Sequence, residues 1–157
     1  MNRSKHGFTL LEILLVVAAI GILAGIVILA INPSKQLAVT RNAQRESDVN
    51  TLLNAIYQYA IDNNGNPPSN IDSVTGTSQV IGTVGSGADS TCTNASTTGA
   101  AVDLGPSLVS TYLVDIPYDP RTGSDDNTDY YVNKLANGRI VLGACDPEQS
   151  ATIEISR

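Results

Sequence analysis

Apolar and polar positions divide the chain into an N-terminal part with one long apolar run and a C-terminal part with short, mixed segments. Residues 13–31 are 19 successive positions without a polar side chain. This length matches the ~20 residues that an α-helix needs to cross a bilayer core. A helical pattern restarts at residue 34 and lasts to about residue 63, and its apolar stripe at 49, 52/53, 56 and 60 has steps of three and four, which predicts an amphipathic helix. A membrane-spanning helix followed by a helix that packs on a domain is therefore expected.

The polar stretch after this helix predicts a stop and then a long loop. Residues 62–68 read Asp-Asn-Asn-Gly-Asn-Pro-Pro, with Gly for the helix C-cap and Pro beyond it. The following residues up to 105 are rich in Ser, Thr and Gly, which predicts an exposed loop region with a short strand at 79–84. We expect the loop region to cover residues 64–105.

Short segments near the C-terminus predict a small antiparallel sheet. The strand candidates cover residues 129–134, 139–144 and 151–155, and a short helix candidate at 106–113 precedes them. Asn137-Gly138 separates the first two strand candidates and is a strong hairpin signal. The predicted fold class is α+β, in which the long N-terminal helix packs on a head domain that covers residues 64–157.

The charged residues divide the chain at about the same place as the apolar residues do. The 157 residues have a net charge of −6 and are 42% hydrophobic but only 4% aromatic, so the apolar content is aliphatic. From Asp48 onward there are four basic and thirteen acidic residues, a difference of −9, which excludes a basic nucleic-acid surface. The basic leader before the apolar run and the acidic domain after it indicate a cytoplasmic N-terminus and an exported C-terminal domain.

Residues 1–7 form a short basic leader that two ordinary interpretations explain only in part. A secretory signal peptide has a shorter apolar region followed by a cleavage site, whereas here the run continues to Asn32-Pro33. An uncleaved signal anchor fits the length but leaves Glu12 unexplained, although Glu12 is the one charged residue between positions 8 and 31. Because a carboxylate at the centre of a membrane span costs ~2.5–3.5 kcal/mol, we expect Glu12 to have a partner.

The sequence Gly-Phe-Thr-Leu-Leu-Glu at residues 7–12, between the basic leader and the aliphatic run, resembles the class III signal peptide of type IV pilins and type II secretion pseudopilins. The resemblance implies that a membrane peptidase cuts between Gly7 and Phe8 and that the new amino group of Phe8 is methylated. It also implies that residues 8–31 form a transmembrane helix that becomes the filament core. Residues 32–63 would continue this helix and pack on the head.

The resemblance further implies how copies of the chain join. Glu12 would pair with the Phe8 amine of a neighbouring copy, and such a contact between unlike patches generates an open helical filament. The implied function is that of a structural subunit of a type IV pilus-like filament, held first in the cytoplasmic membrane and then extracellular. The implied partners are copies of the chain, a prepilin peptidase and methyltransferase, an assembly platform, minor pilins and the membrane, without direct contact to nucleic acid.

Two other functions remain open at this stage. One is a pseudopilin of a type II secretion system, and the other is a non-polymerising, membrane-anchored binding domain. An enzyme is not expected, because the single histidine, His6, lies in the leader and would be lost on cleavage.

Glycine and proline positions predict the packing and the bend of the long helix. Gly21 and Gly25 form a G-x-x-x-G pair, which permits close approach of membrane helices. Many pilins have a Pro late in the apolar segment, whereas this chain has Pro33 further along. Because Pro removes a helical hydrogen bond, we expect the kink within residues 31–35 of an otherwise nearly continuous helix.

Cysteines and carboxylates supply the last candidate sites. Cys92 and Cys145 are the two cysteines of the chain, and a pair in an exported domain predicts a disulfide. Asp125, Asn127 and Asp129 alternate like the first ligands of an EF-hand loop, but the Gly and the Glu that such a loop requires are missing. A simpler Ca²⁺ loop, as the resemblance to pseudopilins implies, and a solvated acidic turn both remain open. No other cofactor is expected.

Overall fold

The chain folds into two helices followed by a head with a small sheet. A computed structural model of the protein describes residues 7–83, 92–93, 95–97 and 101–157. The elements are α1 (Leu10–Ile31), α2 (Pro33–Asp62), β1 (Gln79–Val80), α3 (Gly105–Leu108), β2 (Tyr130–Lys134), β3 (Ile140–Ala144) and β4 (Glu154–Ser156). They form two compact units, which we call the N-terminal unit (Met1–Leu37) and the head unit (Ala38–Arg157).

Helix α1 ends at a residue in a left-handed conformation. Asn32 has φ 47°, a conformation that Asn tolerates better than most residues. Its side-chain Oδ1 accepts the N–H of Lys35 at 3.3 Å, which caps the start of α2. Pro33 begins α2 because it needs no hydrogen-bond partner for its nitrogen at that position. The long helix therefore starts at Leu10 and is divided at Asn32, within the stretch where the kink is expected.

Helix α2 presents the apolar stripe that the spacing predicts. Val49, Leu52, Leu53 and Ile56 are all buried, and their steps of three and four place them on one face. The helix ends where residues 64 and 65 turn to positive φ, 58° and 86°. There the N–H of residue 65 donates to the carbonyl of residue 60 at 2.7 Å, as in a Gly-type C-cap.

Four antiparallel strands form the sheet in the order β1-β2-β3-β4. The β2–β3 hairpin pairs Tyr130 with Ala144 and turns at Asn137-Gly138, where Gly138 has φ 83°. β2 and β3 each start one residue later than the sequence predicts. β4 is shorter than predicted and lies closer to the C-terminus. The α+β class with a small antiparallel sheet is confirmed.

The head unit has apolar contacts on both faces of its sheet. One face packs on the α2 stripe through Tyr130, Val132, Ile140 and Leu142. The opposite face buries Val80, Tyr131 and Cys145, and a segment containing Cys92, Ala95 and Ala101 packs against it. All five residues of β3 are buried, because the strand lies between these two layers. The head can therefore bury its own apolar surface.

The region predicted as an exposed loop is partly built into the head. Val80, Ile81, Val102 and Leu104 are buried, and Ile81 forms an isolated bridge with Val102. β1 has two residues instead of the six predicted, and the last of those six lies outside the described residues. α3 has four residues because the backbone becomes extended at residue 109 and left-handed at residue 110.

Candidate assembly site

The start of α1 is fixed by a side-chain cap. Thr9 has an extended backbone, and its Oγ1 accepts the N–H of Glu12 at 3.2 Å. This bond satisfies one of the free amide donors in the first turn. Phe8 precedes the cap and is 80% exposed. In the uncleaved chain, Phe8 and Glu12 therefore do not occupy successive turns of the same helix.

Glu12 sits in the first turn of α1, where the helix dipole favours a negative charge. Among the residues that the structure describes, it forms no ion pair. Beside it lies a shallow apolar groove of about 260 Å³, lined by Phe8, Glu12, Ile13, Val16 and Val17. The arrangement offers one carboxylate at the edge of an apolar surface, without a cation from the described part of the chain.

The rest of α1 is equally open. None of its 22 residues is buried, and its apolar window has a mean hydropathy of 3.2, which suffices by length and composition to cross a membrane. A Cβ added at Gly21 or Gly25 would meet no atom within 4 Å. The surface around this pair is therefore open to another helix, although its use in helix packing stays a prediction.

Cys92 and Cys145 are joined in a disulfide, with their Cα atoms 4.4 Å apart. The predicted disulfide is confirmed. It attaches residues 92–93 to the end of β3 on the sheet face opposite α2.

The candidate calcium residues serve local turns. Asn127 Oδ1 accepts the N–H of Asp129 at 3.1 Å, and Asp129 is buried with φ 57°. Asp125 is exposed. Within the described ranges, no group of three or more His, Cys, Asp or Glu side chains is arranged to hold a metal ion. Calcium binding at these residues stays a prediction.

A buried arginine in α2 is the main feature that the sequence analysis missed. Arg45 is 0% exposed and binds the Asp119 carboxylate through two hydrogen bonds, Nε to Oδ2 at 2.5 Å and Nη2 to Oδ1 at 3.0 Å. Its Nη1 donates to Glu148 at 3.1 Å and to Asn42 at 2.8 Å. Asp119 is thus the principal partner of Arg45.

The spacing of α2 contains a signal for this burial. Arg45 precedes Val49 by four residues and Leu52 by seven, so all three share the buried face of the helix. A charged residue within an apolar stripe requires a buried partner of opposite charge. The identity of that partner could not be derived from the sequence, because Asp119 lies 74 positions further along the chain.

These ion pairs shift the pKa values of their members. Burial raises the pKa of Asp119, but the hydrogen bonds from Arg45 and from the N–H groups of Arg121 and Thr122 outweigh it, so the pKa lies below the ordinary value. The hydrogen bond from Arg41 lowers the pKa of Glu148 to about 2. Both carboxylates therefore remain charged at neutral pH.

A second polar contact lies beside this network. Tyr130 donates its hydroxyl proton to Asp48 at 2.8 Å, and the Gln44 amide donates to the other oxygen of Asp48 at 2.7 Å. Burial, followed by the bond to Asp48, raises the pKa of Tyr130. The bond from Tyr130 to Asp48 holds the middle of α2 against β2.

An exposed apolar N-terminal helix with a capped carboxylate in its first turn, in a chain whose head is a small α+β domain, is a pilin-like arrangement. The family model for the prokaryotic N-terminal methylation motif matches residues 2–28. This match confirms the resemblance to type IV pilins and type II secretion pseudopilins that residues 7–12 indicate.

Curated relatives extend the match beyond the motif. The chain is 40% identical over 66 residues to type II secretion system core protein G of Aeromonas hydrophila, which covers 42% of this chain and 45% of that protein. It is 39% identical over 66 residues to the protein of the same name from Escherichia coli (strain K12), covering 42% of this chain and 44% of that protein. The matched part is thus less than half the length of either relative. No solved structure matches the chain.

Proposed function

We propose that the protein is a structural subunit of a type IV pilus-like filament. The observation that carries the proposal is the open apolar surface of α1, which begins with a capped Glu12 that has no ion pair among the described residues. A membrane can cover this surface in the monomer, and α1 helices of other copies can cover it in the polymer. The head needs no such cover.

Processing would create the cation that Glu12 lacks. Cleavage after Gly7 leaves a new amino group on Phe8, and methylation preserves its positive charge. Since α1 begins at Leu10, after Phe8, the two residues are not on successive turns of one helix in the uncleaved chain, and the proposed pair joins neighbouring copies. The contact joins unlike patches and therefore extends into an open filament. The assembling copies, the peptidase and methyltransferase, the assembly platform and the minor pilins are the partners that this function requires.

The proposed topology follows from charge. The leader with Arg3 and Lys5 stays on the cytoplasmic side, and the acidic head unit, with its disulfide, is exported. The subunit is a single-pass membrane protein before assembly and extracellular afterwards. A structural role without catalysis is part of the proposal, and the buried Asp48 and Asp119 carboxylates are engaged by Tyr130 and Arg45.

A type II secretion pseudopilin is the second candidate, because both curated relatives are core proteins of type II secretion systems. Its subunit would be processed and assembled in the same way. The two candidates differ in the length of the filament and the machine that builds it. Deleting the gene in its own host separates them: loss of surface filaments supports a pilus, and loss of protein secretion without loss of filaments supports a pseudopilus.

The test of assembly uses charge removal at Glu12. Glu12→Gln keeps the size of the side chain, so we expect normal cleavage after Gly7 but at least a tenfold loss of filaments. A loss of roughly 1.4 kcal/mol in the free energy of assembly, from the missing charge pair, is enough for a factor of ten. The yield of sheared filaments is measured, and mass spectrometry identifies the N-terminal residue of the subunit. Glu46→Gln, an exposed carboxylate on α2, is the matched control and should assemble normally.

Two outcomes would contradict the proposal. Normal filaments from Glu12→Gln would remove the charge pair from the mechanism. Recovery of the wild-type chain only from membranes, with residues 1–7 intact, would overturn filament assembly and favour a non-polymerising, membrane-anchored binding domain.

A further inference from the structure

The turn that follows β3, which we call the Glu148 turn (residues 145–150), is held to α2 by its central residue. The Glu148 carboxylate accepts two hydrogen bonds from Arg41, both at 2.6 Å. Its N–H donates to Asn42 Oδ1 at 3.0 Å, and its carbonyl accepts the Asn42 amide at 2.8 Å. Main chain and side chain of the same residue are therefore both bound to α2.

The beginning of the Glu148 turn is held from the opposite face of the sheet. Cys145 is bonded covalently to Cys92. The adjacent Thr93 donates its N–H and its hydroxyl to the Cys145 carbonyl, at 3.2 and 2.8 Å. The Thr93 hydroxyl also lies 3.1 Å from Asp146 Oδ1. Residues 92–93 thus fix the direction in which the chain leaves β3, together with the hydrogen bond from the Cys145 N–H to the Asp129 carbonyl at 2.8 Å.

Two residues of the Glu148 turn have an unfavourable backbone conformation. Gln149 and Ser150 have φ 60° and 54°, in the left-handed region. A residue with a Cβ pays roughly 1–2 kcal/mol to adopt that conformation. Two such residues in succession are maintained only when contacts on both sides of the turn hold them. Releasing the attachment to residues 92–93 should therefore favour opening of the turn, although the N–H of Cys145 stays bonded to the Asp129 carbonyl at 2.8 Å.

We propose that the Cys92–Cys145 disulfide is a redox-sensitive lock that keeps the Glu148 turn closed on α2. A dithiol reductant attacks the less buried Cys92 sulfur, both cysteines become thiols, and the dithiol gives up the electrons and protons as it closes to its own disulfide. The Glu148 turn then opens, and Glu148 loses its bonds to Arg41 and Asn42. This inference is independent of filament assembly, since every contact lies within Ala38–Arg157.

Hydrogen exchange of the full chain in detergent tests the lock. The oxidised protein is compared with protein that has been reduced with a dithiol and alkylated, so that the mass confirms complete reduction. We expect the Glu148 amide to exchange on the order of tenfold faster after reduction, because local opening controls its exchange. The β2–β3 hairpin turn at Asn137-Gly138 is the internal control and should keep its rate.

Variants separate the covalent bond from the contacts around it. Cys92→Ser should accelerate exchange of the Glu148 amide as reduction does. Thr93→Val keeps the disulfide and removes only the hydroxyl, so its effect should be smaller. In Glu148→Gln the attachment to Arg41 is already weakened. Reduction should therefore accelerate exchange of the residue-148 amide less than it does in the wild type, as expected of coupled contacts.

Two results would overturn the lock. One is complete reduction without any change in exchange across residues 145–150. The other is an equal rise in exchange at the Asn137-Gly138 turn and throughout the head, which would mean that the disulfide supports the head as a whole and does not control this turn.

Discussion

Helix α1 buries none of its 22 residues, whereas α2 buries nine of its 30. The two helices also differ in the ion pairing of their charged residues. Glu12 in α1 forms no ion pair within the described residues, but Arg45 in α2 is enclosed with Asp119 and Glu148. The head thus packs a core and buries an ion pair of its own, while α1 leaves its apolar side chains exposed. The same substitution should therefore have unlike consequences in the two units.

The largest effect is expected from breaking the buried ion pair of the head. Arg45→Met leaves the Asp119 carboxylate buried and without its principal cation, and we expect a loss of about 3–5 kcal/mol in the free energy of unfolding. Denaturant unfolding of the full chain in detergent, followed by near-UV circular dichroism of the head tyrosines, measures it.

A matched arginine serves as the control for this prediction. The Arg121 side chain is 62% exposed and lies 3.5 Å from Glu148, so Arg121→Met should cost less than about 1 kcal/mol. Equal losses from the two variants would show that burial of Arg45 does not determine its contribution.

Leucine truncation in each unit tests the comparison next. Leu52 is 0% exposed in the head core, and Leu15 in α1 is 65% exposed. Leu52→Ala should lower the free energy of unfolding of the head by about 2–5 kcal/mol, because it leaves a cavity. Leu15→Ala should change it by less than about 0.5 kcal/mol. The same unfolding experiment measures both, and a large loss from Leu15→Ala would contradict an independent head.

A smaller effect is expected from acid, and it acts on the head alone. The Arg41 hydrogen bond lowers the pKa of Glu148 from 4.5 to about 2. A lowered pKa means that the folded state favours the charged form, so Glu148 contributes stability above pH 4.5, and this contribution is lost as the pH falls toward 2.

The measurement compares the wild type with Glu148→Gln across this pH range. The difference in free energy of unfolding should be constant at neutral pH and should shrink between pH 4.5 and pH 2. Glu46→Gln changes an exposed carboxylate and should show little difference from the wild type at any of these pH values. A difference for Glu148→Gln that persists at pH 2 would mean that its charge is not the source of the effect.

The sequence was sufficient to predict the features that depend on local pattern. The aliphatic run gave α1, the steps of three and four gave the α2 stripe, and Asn137-Gly138 located the β2–β3 turn. These predictions succeeded because each depends on neighbours within a few turns of the chain. The Cys92–Cys145 bond was predictable because the chain contains no other cysteine.

Features that depend on distant neighbours were not predictable in the same way. Arg41 and Arg45 both bind Glu148, which lies more than a hundred positions away along the chain. The buried segment around Ile81 and Val102 lay in a stretch rich in Ser, Thr and Gly, where composition indicates a loop. In both cases tertiary contacts, which no local pattern encodes, decide burial.

Alanine in place of glycine gives the sharpest contrast between the two units. A Cβ at Gly21 meets nothing within 4 Å, whereas a Cβ at Gly143 would collide with the Tyr131 side chain and the Ile153 carbonyl. Gly143→Ala should cost the head about 1–3 kcal/mol, and Gly21→Ala less than about 0.5 kcal/mol. If α1 helices approach closely at Gly21 in a filament, Gly21→Ala should nevertheless reduce the yield of sheared filaments. A variant with a stable head and normal filaments would exclude that approach.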